Sequence, residues 1–259
     1  MKLGSDFELP LVSSKGGVPA HLFFKGTKHT PEKISHGWAQ YDNAMMELNI
    51  PVADNRATFI GGICNVLREA QLRLPPQVSV MYSDYCEYPV KALRLPQLKE
   101  FGCMPDVNAF TGKNNPRPVD LGSTSFRTAG FHIHIDFEGS FEDKCKFIQV
   151  LEYLVQLRLM RHEEQPSKLD WFNRRVYYGK AGSFRPKKYG VEWRTLSSNL
   201  LRDKKILNEL YSLLEYATNN WHNYADDLDS ELVRNNLQSC INNHDTTLRD
   251  NLLEGQSHA

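Results

Sequence analysis

The sequence predicts an α+β fold: an antiparallel sheet with an apolar face packed on helices and a polar face left open. Three observations carry that expectation. Several separated segments alternate apolar and polar residues with the period of two that a strand imposes. Strand-like and helix-like segments do not alternate strictly, as a parallel α/β fold would require. Beyond residue 200 or so the chain reads as helix alone.

Residues 3–12 (LGSDFELPLV) alternate and then meet Ser13-Ser14-Lys15-Gly16-Gly17, a strand and a turn, with residues 18–24 expected to return as the second strand of a hairpin. Residues 41–50 (YDNAMMELNI) read as a strand that stops at Pro51. Ile60, Ile63, Val66, Leu67 and Ala70 recur at helical spacing within 55–72, despite Gly61-Gly62. Residues 77–82 form a short strand. Residues 101–128 are rich in Gly, Pro and Asn; a loop that long is uncommon unless it shapes a site. The cleanest alternation in the chain is GFHIHIDF, 130–137, and an amphipathic helix follows over 142–162. A basic, glycine-bearing stretch fills 174–190, and GVEWRTL, 190–196, alternates again. In the helical C-terminal part, about 200–259, Leu207, Leu210, Leu213 and Leu214 share a face. No break in composition marks a linker, so residues 1–259 are expected to form one domain.

Bulk properties narrow the function. Lys plus Arg equals Asp plus Glu, 31 each, so the formal net charge is zero. Sequence-independent nucleic-acid binding rests on a basic excess, and bulk binding of that kind is not expected. The five cysteines (Cys64, Cys86, Cys103, Cys145 and Cys240) are odd in number, widely spaced and without a C-x-x-C pair. That usage points to free thiols in a reducing, cytoplasmic setting and away from paired-cysteine zinc. Asp6 and Glu8 interrupt the place where a signal peptide's apolar core would sit, and no apolar run approaches the ~18 residues of a membrane span, so no membrane association is expected.

The alternating segments place chemistry on one face each. Asp6 and Glu8 oppose Phe7 and Leu9; His132, His134 and Asp136 oppose Phe131, Ile133, Ile135 and Phe137; Glu192 and Arg194 oppose Val191, Trp193 and Thr195. Glu47 and Asn49 fall together, with Asp42 nearby. A solvated outer face accounts for any one of these alone. Taken jointly they hold short carboxylates and imidazoles, which bind metals. Converging carboxylates ~6 Å apart would repel by about 3 kcal/mol per pair at an effective dielectric of 20, a cost that divalent cations remove. Oxygen-rich ligation with one or two imidazoles suits magnesium or manganese. Just before the Glu192 strand lie Arg174, Arg175, Lys180, Arg185, Lys187 and Lys188, interleaved with Tyr177, Tyr178 and Tyr189. This stretch reads either as a solvated or nucleic-acid-binding loop or as a polyphosphate clamp, in which Gly179 and Gly182 let the backbone approach phosphate oxygens. It is not a P-loop, since G-x-x-x-x-G-K-[ST] is absent. A basic clamp beside an acidic metal face is equipment for phosphoryl transfer.

The segments LGSDFELPLV, YDNAMMELNIP, FGCMPDVNAFTG, RTAGFHIHIDF and NRRVYYGKAGSFRPKKYGVEWRTLSSN span most of residues 3–199. In content and order they resemble the carboxylate–amine ligase (amidoligase) family known largely from tailed phages, part of the glutamine synthetase and glutamate–cysteine ligase superfamily. The resemblance implies a glutamine-synthetase-like catalytic domain, a curved antiparallel sheet with helices on its outer face, and ATP with Mg2+ (or Mn2+) as cofactors. Matched by motif, Glu8, Glu47, His132 and Glu192 would be metal ligands, with Asp6 and Asp42 at further acidic positions. Arg185 and Arg194 would hold phosphate groups or the acyl-phosphate, forming the catalytic set with Glu192. His134 would contact substrate or nucleotide, and Arg174, Arg175, Lys188 and Tyr189 would line the pocket. Asp6 departs from the Glu-x-Glu of glutamine synthetases, and its shorter arm would shift one metal position. The separate N-terminal domain of glutamine synthetases has no counterpart, so each subunit is expected to hold its own site. The implied reaction joins a small-molecule or peptide carboxylate to an amine through an acyl-phosphate, in the host cytoplasm if the chain is phage-encoded. Asp106 or Asp136 could deprotonate the amine. Two alternatives compete: a metalloenzyme of another type on His132 and His134, such as a cupin-like oxygenase or zinc hydrolase, and a non-catalytic nucleic-acid-binding protein using 174–188.

Overall fold

Hydrophobic alternation in residues 3–9 becomes an interior strand of the sheet, next to its middle one. A computed structural model describes residues 1–98, 106–116, 124–163 and 174–256. Its strands are β1 (Leu3–Leu9), β2 (Leu11–Ser13), β3 (Gly16–Val18), β4 (Glu32–Ile34), β5 (Gly37–Asp42), β6 (Met45–Ala53), β7 (Ser79–Val80), β8 (Tyr85–Glu87), β9 (Val107–Asn108), β10 (Lys113–Asn114), β11 (Phe126–Thr128), β12 (Phe131–Asp136), β13 (Ser183–Lys187) and β14 (Gly190–Trp193). Nine of them form one sheet in the order β10-β9-β13-β14-β12-β1-β6-β5-β4, every pairing antiparallel. Mixed helix and antiparallel sheet is the α+β class expected.

Helices cover the apolar face. Helix α1 (Arg56–Leu72) starts at a capping box in which Asn55 accepts from the Thr58 N–H, and α2 (Phe141–Leu151) starts at another between Ser140 and Asp143. The α2 rod runs on through a π segment, Glu152–Gln156, and a last turn to His162. The rest is α3 (Lys204–Ala225), α4 (Glu231–Asn243) and α5 (Thr246–Gln256). Phe7, Leu48, Phe131, Ile133, Ile135, Val191 and Trp193 point from the sheet into one buried cluster with Phe59, Ile63, Phe147, Leu151, Leu210 and Leu214 from the helices. Each such side chain contributes about 1.5–3 kcal/mol by leaving water. That drive sets which sheet face turns inward, and therefore which stays polar. No helix among the described residues is long and apolar enough to cross a membrane. Cys64, Cys86, Cys145 and Cys240 are free thiols, and Cys103 lies outside the described residues, as does much of 101–128.

Two local expectations need correction. Residues 18–24 do not return as a strand: pairing stops at Val18, Pro19 offers no N–H to the ladder, and the chain turns through Ala20–Leu22. Residues 41–50 are not one strand but parts of the β5–β6 hairpin, which turns at Asn43 with φ 55°. Nor does β6 stop at Pro51. Its register against β1 shifts between Leu3 and Ser5, so an extra residue bulges out around Pro51 and Val52. A bulge accommodates a proline because the unpaired residue needs no ladder hydrogen bond.

Candidate active site

Register decides which side chains meet on the polar face. Asp6 pairs with His132 on one side and Asn49 on the other; Glu8 pairs with Glu47, and Glu47 with Gln40; His134 pairs with Glu192, and Glu192 with Arg185. Period-two alternation then puts Asp6, Glu8, Gln40, Asp42, Glu47, Asn49, His132, His134, Arg185, Lys187 and Glu192 on one side of six adjacent strands. Residues from both ends of the chain are thereby brought together.

At the centre, Asp6 Oδ1 lies 3.0 Å from His132 Nδ1 and 3.2 Å from His134 Nε2. His132 Nε2 continues to the Tyr178 hydroxyl at 2.9 Å, and His134 Nδ1 meets the Tyr189 hydroxyl. Glu192 faces three cations: Arg185 Nη1 at 3.2 Å, Lys187 Nζ at 2.6 Å, and Arg194 Nη1. Arg194 also approaches His132 Nδ1 at 3.5 Å and Asp106 at 3.7 Å. Ligand atoms of Asp6, His132 and Glu192 all lie within 4.8 Å of one another. On the neighbouring rung Glu8 accepts from the Gly130 N–H at 3.0 Å, and Glu47 accepts from Gln40 Nε2 at 2.6 Å.

The electrostatics are those of a site built around positive charge. Burial, then the charges of Asp6, Asp42 and Glu8, push the Glu47 carboxyl well above the usual carboxylate range. Glu192 is raised by burial and by Asp6, against the pull of Arg185 and Lys187. Asp42, at the end of β5, is raised by burial and by Asp6. Burial works against the charge of Asp6 too, but His132 and His134 hold its carboxyl well below the ordinary range. Burial and the Arg194 charge bring His132 down to about 3, so its imidazole is neutral at neutral pH. Beside His134 and Tyr189 a cleft of about 680 Å³ opens, walled by Trp38, Ile50 and Val52, with Asn49 and Asp136 at its polar edge.

The basic stretch divides. Arg185 and Arg194 reach the acidic face, but Arg174 and Arg175 turn into the interior. Arg174 donates to the carbonyls of Ala129, Thr195 and Leu196 and pairs with Asp84 at 3.2 Å; Arg175 donates to the carbonyls of Gly179 and Thr195 and lies 3.7 Å from Glu163. Both are buried, with carbonyls and carboxylates around them, and on this geometry they serve the fold. Gly179 and Gly182 likewise meet protein: a Cβ would fall 2.6 Å from the Arg174 guanidinium at the first and from the Phe110 ring at the second. Lys188 sits exposed in the β13–β14 turn, and Lys187, one residue earlier and in phase with Arg185, takes the place at Glu192. Continuing the strand period back through 183–187 would have found it. Gln40 and Trp38 escaped because the β5 strand did; Tyr178 carries no sequence signal beyond its basic surroundings. With Arg174 and Arg175 buried and Arg185 and Lys187 turned to Glu192, four of the six basic residues in this stretch face protein groups.

Residues 115–241 match the family model described as Phage phiEco32-like COOH.NH2 ligase-type 2. The match is, by its description, to a family of carboxylate–amine ligases. It covers just under half of the chain and takes in His132, His134, Arg185, Glu192 and Arg194; Asp6, Glu8, Asp42 and Glu47 lie outside it, so the acidic half of the site rests on geometry. No curated protein matches the chain. Nine chains of solved structures do, among them a bifunctional glutathione synthetase from Pasteurella multocida, with a TM-score of 0.39 and 10% identity over 99% of this chain and 49% of that one. The chain thus spans about half the length of that protein, and at this TM-score the likeness carries no argument about fold or activity.

Proposed function

We propose that this chain is an ATP-dependent ligase with a glutamine-synthetase-like catalytic domain over residues 1–259, which joins a carboxylate to an amine through an acyl-phosphate. One observation carries the reading: the Asp6, His132 and Glu192 ligand atoms lie within 4.8 Å of one another, with Arg185, Lys187 and Arg194 against the same Glu192. Metal chemistry and phosphate chemistry thus share one carboxylate.

The donor set fits a divalent cation. Buried Glu47 and Glu192 are both pushed up by burial and by neighbouring acids, a penalty that bound positive charge offsets. Two carboxylates and one imidazole suit Mg2+ or Mn2+ better than the nitrogen- or sulfur-rich sets of zinc. Asp6, His132 and Glu192 would hold one ion. Glu8 and Glu47, with Asp42 beyond them, would hold a second. Such ions, when bound, offset the charge of the transferring phosphoryl group.

The chain's own groups do the rest. The cleft takes the nucleotide base against Trp38 and Tyr189, and His134 lies where the base side meets the phosphate side. Arg185 and Arg194 hold phosphate oxygens through charge-assisted hydrogen bonds. A substrate carboxylate oxygen attacks the γ-phosphorus, the bond to the β-phosphate oxygen breaks, and ADP leaves. The amine nitrogen then attacks the acyl carbon, the bond to the phosphate oxygen breaks, and a base takes the amine proton. Asp106, held by Arg194 and by Asn115 at 2.9 Å, stands at the acyl-phosphate end, whereas Asp136 lines the nucleotide cleft. Asp106 is therefore the better placed base. Holding the three reactants in one pocket supplies further acceleration by proximity. The cysteine usage fits a cytoplasmic setting, the host's if the chain is phage-encoded.

ADP release, measured with Mg2+ across a panel of small-molecule and peptide carboxylates paired with amines, tests the reading. Amine-stimulated release is expected. Absence of release with every pair would overturn it.

A further inference from the structure

Tyr178 lies outside the sheet, yet it meets the His132 ring from behind. Its hydroxyl is 2.9 Å from His132 Nε2, and the two rings stand 5.7 Å apart. The Arg194 guanidinium lies 4.9 Å over the Tyr178 ring. Gly130 makes room for this contact: a Cβ there would fall 2.8 Å from His132 Nε2 and 2.9 Å from Tyr178 Cε1. The buried arginines secure the segment. The Tyr178 N–H donates to the Arg174 carbonyl at 2.6 Å, while Arg174 is tied to Ala129, Thr195, Leu196 and Asp84.

A neutral imidazole carries one proton. Nδ1 of His132 faces an acceptor, Asp6 at 3.0 Å, and a donor, Arg194 Nη1 at 3.5 Å, while the Tyr178 hydroxyl at Nε2 can donate or accept to suit either tautomer. The nitrogen facing Asp6 is Nδ1. A cation bound there leaves no room for a proton on Nδ1, so the neutral ring then carries its proton on Nε2. A hydroxyl can both donate and accept, so the same contact serves both tautomers with the direction reversed.

We propose that Tyr178 is a positioning residue for the metal centre: its hydroxyl holds the His132 ring with Nδ1 toward Asp6, and accepts a hydrogen bond from Nε2–H when a divalent cation occupies Nδ1. The proposal rests on the reading that Asp6, His132 and Glu192 hold a metal. Partners of this kind, acting through a ligating histidine, typically change metal affinity 10–100-fold when removed.

The test is Mn2+ binding to the full chain, followed by electron paramagnetic resonance without nucleotide, in the unsubstituted protein, Tyr178→Phe and Tyr177→Phe. Phe at 178 keeps the ring against Arg194 and removes only the hydroxyl. Tyr177 packs on Phe126, 5.3 Å between centroids, and is the control. The Tyr178→Phe dissociation constant is expected to rise at least ~10-fold, and that of Tyr177→Phe to stay unchanged. A Tyr178→Phe value within twofold of the unsubstituted protein overturns the proposal and leaves the metal reading standing. No Mn2+ binding by the unsubstituted protein overturns both. A second measurement is independent of the variants: with saturating Mg2+ the His132 ring 15N shifts should report the proton on Nε2. A proton found on Nδ1 instead overturns the proposal.

Discussion

Glu47→Gln should make the metal-free protein more stable while blunting its response to magnesium. Glu47 is buried, pairs across the sheet with Glu8, and lies in the field of Asp6 and Asp42. Side chains directly opposite on paired strands lie about 5 Å apart, and two carboxylates at that distance repel by about 3 kcal/mol at an effective dielectric of 20. Gln at this position removes the charge and keeps an oxygen for the Gln40 amide. With an unfolding entropy of roughly 2.1 cal/mol/K per residue, a chain of this length converts 3 kcal/mol into about 5 °C of Tm. Magnesium at a hundred times its Kd would raise the parent by about 2.7 kcal/mol, again about 5 °C, and the variant by less. The sign with pH follows from the raised carboxyl. A raised acid destabilises the fold above its folded pKa, and the penalty fades as pH falls toward the unfolded value of about 4.3. The advantage of Gln is therefore expected at pH 7.5 and should shrink toward pH 4. Thermal unfolding in chelator and in MgCl2 at the two pH values measures all of this. A metal-free Glu47→Gln protein no more stable than its parent at pH 7.5 would refute the repulsion argument.

Glu192→Ala should lower ADP release on the order of 10³-fold, since metal and arginines both lose their shared partner; full activity with an intact circular dichroism spectrum would remove Glu192 from the mechanism. Trp38→Ala should raise the KM for ATP about tenfold with little change in kcat, the pattern of lost uniform binding; steady-state kinetics at varied ATP decides, and an unchanged KM would empty the cleft of its assigned base. Arg174→Met should cost about 3–5 kcal/mol by leaving Asp84 buried without its partner, and denaturant unfolding checks this. Burial raises Glu163 to about 7, so from about pH 4.5 to 7 the folded state binds the extra proton and stability falls as pH rises. Relative to its parent, Glu163→Gln should gain on the order of 3 kcal/mol between pH 5 and pH 8; parallel stability curves would argue against that burial cost.

The parts of the fold legible in the sequence were those where one local period decides the outcome. Residues 130–137 alternate without interruption and form β12; Ile60, Ile63, Val66 and Leu67 recur at helical spacing and all face the core of α1. Where local rules compete with the sheet, the sheet wins. Pro51 looks like a strand end, yet pairing with β1 continues past it because a bulge relieves the ladder of the missing N–H. The β5 strand carries Trp38, Gln40 and Asp42 on the polar face, but Gly37 and Ala39 are small and give it little apolar rhythm. What makes it a strand is β6 beside it, a long-range fact.

The site was legible for the same reason and failed at the same boundary. Alternation tells which face a strand residue takes before any tertiary structure is known, so Asp6, Glu8, His132, His134 and Glu192 could be grouped from sequence, and register then joined them. Arg174 and Arg175 precede the β13 strand, and no period governs them. The fate of Arg174 depends on Asp84 and the Ala129 carbonyl, 90 and 45 residues away, and that of Arg175 on Glu163 and the Thr195 carbonyl, groups that take up the charge and hydrogen bonds a phosphate would otherwise receive. Counting basic residues cannot separate these two uses, because a guanidinium that binds a nucleotide and one that ties three carbonyls have the same composition. Burial separates them. It also links them: the interior pair holds the segment that places Tyr178 behind His132, so arginines that touch no ligand help aim a residue at the candidate metal centre.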